Sequence, residues 1–483
     1  MAEVSFRYAG MKAVIMGLGL NGGGLESARY LARRGAELTV TDLRDEKVLA
    51  PSIKELEGLK GIRYVLGRHE MEDFRNADMV VKNPGVPPLS PYLVCAKRIE
   101  TDISLFLAAS PARLSAVTGS KGKSSTAAAM HWVQKTLEGP EQRSFLGGNI
   151  AVSPLSFLDE ARPGDDVVLE LSSWQLGDLA GRKREGSGEA LLKPRAALLT
   201  AIIPDHLDRY GIMDAYVNDK KIIYRGQDSG DCTVAGDDTW GSVFLAETRA
   251  RPLVYASGPL PEDAAGAWLD GPGGPGLVRI DGQVAELVPA KLLIPGRHQK
   301  KNLLAAGLAL LDLGLAPDAI CHCLGQFRGI EHRLEFFCEK DGVRFYNDSA
   351  ATIPEAAAAG IEAFDSPPVL LAGGNDKGLD YGPLVRAASK TKAIILLAGT
   401  GSLKLSPLLK ERGIPFQGPY DDLDTAVLRA IDAANGKGVV ALCPGCTSFG
   451  MFLNEFDRGR RFKEAVLRLT GSPAKTGRER GAF

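Results

Sequence analysis

The chain has 483 residues, 45% hydrophobic and 24% charged, a makeup that suits several buried cores and, by length, roughly two to four domains. A formal net charge of -1 advertises no basic face for a phosphate backbone, which argues against nucleic acid as a partner. No apolar run approaches the roughly 20 residues that span a bilayer, and Met1–Gly10 lacks the apolar stretch of a signal peptide, so the expectation is a cytoplasmic protein with no membrane partner.

Short aliphatic runs alternate with amphipathic stretches throughout, which predicts an α/β fold of parallel sheets covered by helices, with ligands at the carboxyl ends of strands. The first segment pairs strands Lys12–Met16 and Glu37–Thr41 around a helix from Gly23 to Arg34 and continues to Met79–Lys82. The Pro-rich stretch Asn83–Pro91 is expected to close that sheet. Gly17-Leu-Gly19-Leu-Asn-Gly22, with Asp42 ending the second strand, fits the dinucleotide fingerprint by spacing. The same geometry suits a nicotinamide oxidoreductase or a protein holding another nucleotide diphosphate, and spacing alone does not choose.

A second segment opens with strand Arg113–Val117 and runs into Gly119-Ser120-Lys121-Gly122-Lys123-Ser124-Ser125, a phosphate loop ahead of helical sequence. Lys123 is expected on the β and γ oxygens and Ser124 or Ser125 on Mg²⁺; Val117 stands where the standard pattern has its first glycine, so the loop is a shortened variant. Apolar strands are expected at Val167–Leu171 and Ala196–Ile203, with Glu170 ending the first and Asp205 and His206 ending the second. A buried strand seldom tolerates an unpaired Glu, so Glu170 and His206 read as metal ligands. Hairpins are expected around Gly271–Gly276, then a helix near Asn302–Leu313.

A third segment carries strands at Arg344–Tyr346, Val369–Ala372, Ala393–Leu397 and Val439–Cys443, and Gly471–Phe483 reads as a loose polar tail. The expected domains are 1–107, 108–328 and 329–483. Seven cysteines without zinc-ligand spacing read as free thiols, and Cys443-Pro-Gly-Cys446 as a turn after a buried strand rather than a redox motif.

Taken together, Val117-Thr-Gly-Ser-Lys-Gly-Lys-Ser, Leu169-Glu-Leu-Ser-Ser-Trp-Gln-Leu, Asp205-His-Leu-Asp-Arg-Tyr, His298 with Asn302, Glu331-His-Arg-Leu-Glu, Asn347-Asp-Ser-Ala-Ala-Thr and Gly373-Gly-Asn-Asp-Lys-Gly resemble the Mur ligases of bacterial cell-wall synthesis over nearly the whole chain. The likeness is greatest to the glutamate-adding member. It implies three domains: a Rossmann-like domain for the UDP substrate, a central ATP domain, and a Rossmann-like domain for the amino acid. ATP would bridge the last two. The implied reaction adds D-glutamate to UDP-N-acetylmuramoyl-L-alanine through an acyl phosphate, in a monomer using ATP and Mg²⁺, with a pair of ions implied by the family's pattern.

By the same resemblance Leu20, Asn21, Gly22, Asp42, Leu43, Arg44, Asn83, Gly85 and Asn149 serve the UDP substrate, while Asn302, Arg333 and Asp348 hold adenine, γ-phosphate and ribose. Lys123, Glu170, His206 and Lys220 are the implied catalytic group, with Lys220 at the position the family carbamylates for magnesium. Thr352, Lys377, Ser448 and Phe449 would seat glutamate. The chain departs from the family pattern at Ala350, Ile353 and Gly450, and in the order Asn454-Glu455-Phe456, all around the amino-acid pocket. A ligase adding L-glutamate or another amino acid is the near alternative, and a nicotinamide oxidoreductase the remote one.

Overall fold

The computed structural model describes residues 8–472 apart from Asn21, Ala151 and Asp281. The tail reading from Pro473 onward, and Asn21 as a UDP-substrate residue, therefore lie outside the described residues. The chain forms two compact units, one built from the residues up to Val288 with Asn302–Cys323, the other from Pro289–Lys301 and the chain from Leu324. The first unit holds two sheets and the second holds one.

The first sheet is wholly parallel, in the order β3-β2-β1-β4-β5, from β1 (Lys12–Met16), β2 (Glu37–Asp42), β3 (Ile62–Leu66), β4 (Met79–Lys82) and β5 (Ile99–Glu100). The central strands are nearly continuous apolar runs because helices cover both faces. The Pro-rich segment does not close the sheet, since β5 returns beyond it and pairs Ile99 with Val80. β3 escapes sequence reading because it is an edge strand with Arg63 and Tyr64 outward.

The central sheet has the order β14-β13-β12-β11-β10-β9-β6-β8-β7. Its strands are β6 (Arg113–Thr118), β7 (Ser144–Gly148), β8 (Asp166–Glu170), β9 (Ala196–Leu199), β10 (Cys232–Gly236), β11 (Arg251–Ala256), β12 (Gly266–Leu269), β13 (Gly276–Ile280) and β14 (Gln283–Val288). The expected hairpins are the antiparallel β12-β13-β14 at one edge. β9 stops at Leu199 rather than Ile203, because the chain there leaves the sheet to bond the phosphate loop: Ser120 N donates to Ala201 O at 2.9 Å. Asp205 and His206 thus stand on a connecting segment, not at a strand end. The expected helix near Asn302 starts earlier, at Arg297.

The second unit's sheet runs β15-β16-β20-β17-β18-β19, from β15 (Glu335–Lys340), β16 (Val343–Asn347), β17 (Val369–Gly373), β18 (Ala393–Leu397), β19 (Gln417–Tyr420) and β20 (Gly438–Leu442), with apolar cores on both faces. Only β15 runs antiparallel to its neighbour in this sheet. The seven cysteines are free, and Cys443 begins the turn after β20. Among the described residues no helix is long and apolar enough to cross a membrane.

Candidate active site

Beyond β6 the chain turns at Gly119 and Gly122, both at positive φ. A Cβ would lie 1.9 Å from Thr200 Oγ1 at the first and 2.5 Å from Asn302 Oδ1 at the second, so side chains are excluded and Asn302 is set against the loop. Gly122 caps the helix Lys123–Thr136, whose first-turn N–H groups, those of Lys123, Ser124 and Ser125 among them, have no partner within the helix and suit an anion. Lys123 Nζ donates to Ser120 O at 3.0 Å, which folds its side chain back over the loop. The Ser120 hydroxyl is spent on tying the loop down: it donates to Ile203 O at 2.9 Å and lies 2.9 Å from Tyr216 OH. Lys121 is exposed.

Lys220 ends the helix Met213–Lys220 and is 1% exposed. Its Nζ donates to Gly119 O at 2.8 Å and lies 4.5 Å from the centre of the Tyr216 ring, one turn earlier. Burial, joined by the charge of Lys123, pulls this ammonium down to about 7. Glu170, the last residue of β8, is also 1% exposed; Oε1 accepts from Asn149 Nδ2 at 2.9 Å, while Oε2 is buried without a hydrogen-bond partner. A buried carboxylate oxygen left open in this way fits a cation ligand. His206 sits at φ 53° with its ring 5.1 Å from that of Trp174.

These groups open into a cleft of about 450 Å³ within the first unit. Lys123, Asn149, His206 and Lys220 line it from the central sheet; Leu20, Arg44, Asn83 and Gly85 line it from the first. The two glycine loops therefore face one cavity. Gly22 caps the helix Gly23–Arg33 beside it, at φ 94°. Asp42 does not line the cleft: its carboxylate accepts from Gly19 N at 3.1 Å and Arg44 N at 2.9 Å, and so shapes the loop. Leu43 is 70% exposed beside it.

In the second unit, Asp348 follows β16, accepts from Leu334 N at 3.1 Å, and is pushed up to about 7 by burial. Arg333 lies between two residues at positive φ, His332 and Leu334. Lys463 Nζ bridges Glu331 and Glu335 at 2.7 and 2.8 Å, so these carboxylates beside His332 already have their cation. Lys377 Nζ donates to Thr352 Oγ1 at 3.1 Å. The next stretch of the proposed glutamate seat, after β20, holds buried Ser448 and exposed Phe449, whose carbonyl accepts from Asn375 Nδ2.

The sequence reading assigns no role to several cleft residues, Asp102, Trp174 and Tyr216 among them. Tyr216 was legible, since it precedes Lys220 by one helical turn and shares its face. Trp174 stands within the Glu170 motif, four residues after the carboxylate. Asp102 gave no signal: it opens the helix Asp102–Ala109 and accepts from Ser153 Oγ at 2.9 Å, a partner 51 residues away.

Residues 11–104 match the Mur ligase MurD-like, N-terminal domain, and residues 117–310 the Mur ligase middle domain. The chain is 40% identical to the UDP-N-acetylmuramoylalanine--D-glutamate ligase of Treponema pallidum, over 96% of this chain and 99% of that one. It is equally identical to the protein of the same name from Roseiflexus, over 96% and 100%. Among solved structures, the UDP-N-acetylmuramate-alanine ligase of Thermotoga maritima shares the fold with a TM-score of 0.56 at 19% identity, covering 95% of this chain and 100% of that one.

Proposed function

Because the chain belongs to the Mur ligase family and is an ATP-dependent amide ligase of peptidoglycan synthesis, we propose that it adds D-glutamate to UDP-N-acetylmuramoyl-L-alanine. The observation that carries this reading is the cleft shared by the two glycine loops, whose lining from both sheets suits a UDP-sugar and a nucleotide phosphate meeting in one space. The choice of amino acid is supported by the relatives in Treponema pallidum and Roseiflexus, which are D-glutamate ligases by name.

In this reading the substrate's alanyl carboxylate attacks the γ-phosphorus of ATP, giving an acyl phosphate and ADP. The glutamate amine then adds to the acyl carbon, loses a proton and expels phosphate. Leu20, Gly22, Arg44, Asn83, Gly85 and Asn149 hold the UDP substrate, with Asp42 and Leu43 setting the loop beside it. The backbone of Gly119–Ser125 and Lys123 offset the phosphate charge. Asn302, Arg333 and Asp348 keep the adenine, γ-phosphate and ribose roles, and Thr352, Lys377, Ser448 and Phe449 the glutamate seat. Magnesium, when bound, would screen the phosphates; Ser124, Glu170, His206 and a carbamylated Lys220 would hold it. The lowered proton affinity of Lys220 supports that modification, because a neutral amine can add CO₂. We take the three stretches 1–107, 108–328 and 329–483 as the working domains of a cytoplasmic monomer.

The test is phosphate release from ATP and Mg²⁺ with UDP-N-acetylmuramoyl-L-alanine, varying the amino acid and its chirality. D-Glutamate should stimulate most. Greater stimulation by the L isomer would move the reading to an L-glutamate ligase, and none by either isomer would overturn it. Lys123→Ala should abolish turnover while UDP-sugar binding persists.

A further inference from the structure

Arg458 is the largest fully buried side chain among the described residues, 1% exposed. It lies in the first turns of the helix Glu455–Leu469, and among the described residues no carboxylate pairs with it. Burial lowers its proton affinity, to about 10, so it stays charged at neutral pH. Enclosing such a cation without a counter-ion is costly, and it persists where each of its three nitrogens finds an acceptor.

The acceptors lie on two loops. Nε donates to Ser349 Oγ at 3.0 Å and Nη2 to Ser349 O at 2.8 Å; Nη1 donates to Cys446 O at 3.1 Å. Ser349 Oγ in turn donates to Glu455 O at 2.7 Å, which returns the bond to the helix that carries Arg458. Ser349 leads to Thr352, and Cys446 to Ser448 and Phe449. The two loops follow β16 and β20, neighbours in the sheet; the loop after β17, the next strand, carries Lys377 and is joined to the second by the Asn375–Thr447 bridge. Lys377 closes the ring through Thr352.

We infer that Arg458 is the positioning residue of the amino-acid seat: its planar guanidinium fixes the spacing of the Ser349–Thr352 and Cys446–Phe449 loops, and with it the geometry that receives the incoming amino acid. Resting on the glutamate reading above, the inference deepens that site. A lysine cannot reproduce three fixed, coplanar donors.

Steady-state kinetics of the full-length enzyme test this, with Arg458→Lys and Arg458→Met and each substrate varied in turn. The KM for glutamate should rise about tenfold or more in Arg458→Met and less in Arg458→Lys, while the KM values for ATP and the UDP-sugar stay within about twofold of wild type. A folded Arg458→Met enzyme with unchanged glutamate KM, or with all three KM values raised alike, would overturn the inference. If that variant fails to fold, Ser349→Ala, which removes one acceptor and leaves both carbonyls, is measured the same way: a selective rise in glutamate KM supports the inference, and an unchanged or uniform KM overturns it. A wild-type enzyme indifferent to glutamate would instead sink the functional reading itself.

Discussion

Lys220 is an amine with almost no access to water, held by one carbonyl and the face of one ring. Its folded proton affinity is depressed to about 7 from the ordinary 10.5, and the sign of the effect on stability follows. Below pH 7 both folded and unfolded chains are protonated, and the full penalty of burying the charge is present. Between 7 and 10.5 the unfolded chain binds a proton that the folded protein has released, so stability rises with pH. Lys220→Met lacks this contribution. Urea unfolding at several pH values across the window should show wild type gaining on the variant, by at most about 1.4 kcal/mol per pH unit. A difference independent of pH would argue against a buried amine that titrates there.

At the scale of elements, the first sheet depends on how closely the helix Gly23–Arg33 approaches the turn before it. A Cβ at Gly24 would lie 2.1 Å from Gly17 O and 2.6 Å from Leu18 O, so Gly24→Ala must push the helix away or bend the loop. The expected result is a loss of about 1–3 kcal/mol in thermal or denaturant unfolding, with weaker UDP-sugar binding by titration. Unimpaired stability and binding would show that the loop yields freely. This element was legible in the sequence because glycine spacing and apolar periodicity coincide there. β1, β4 and β18 were legible for the same reason, as buried parallel strands written in unbroken apolar residues. β3 and β19 were not: both are edges with mostly outward residues, and their strand character comes from a neighbour's hydrogen bonds. The end of β9 was overread because Ala201, Ile202 and Ile203 continue the apolar run, yet they serve the phosphate loop. In the site, Lys123 and Glu170 could be found from motifs, whereas Asp102 depends on a partner distant in sequence.

At the scale of the molecule, the two sheets of the first unit are joined by charge as well as by apolar contact. Lys82 ends β4, and its Nζ lies 2.7 Å from Asp178 Oδ2 in the central part, with both side chains buried. Burial raises the Asp178 proton affinity despite the nearby cation, which marks the pair as expensive to enclose. Lys82→Met should therefore cost about 3–5 kcal/mol by leaving a buried acid unpaired, and Lys82→Met with Asp178→Leu should cost much less. Equal losses in the single and double variants, measured by urea unfolding, would assign the cost to lost packing. The second unit is held differently. Arg458 grips the carbonyl oxygens of Ser349 and Cys446 and the hydroxyl of Ser349, so the clamp is indifferent to the side chains those loops display apart from Ser349 itself. Ala350, Ile353 and Gly450, where this sequence departs from the pattern it otherwise resembles, lie on or beside the clamped loops. Such a clamp separates the surface of a binding pocket from its frame, so that one can be substituted without moving the other.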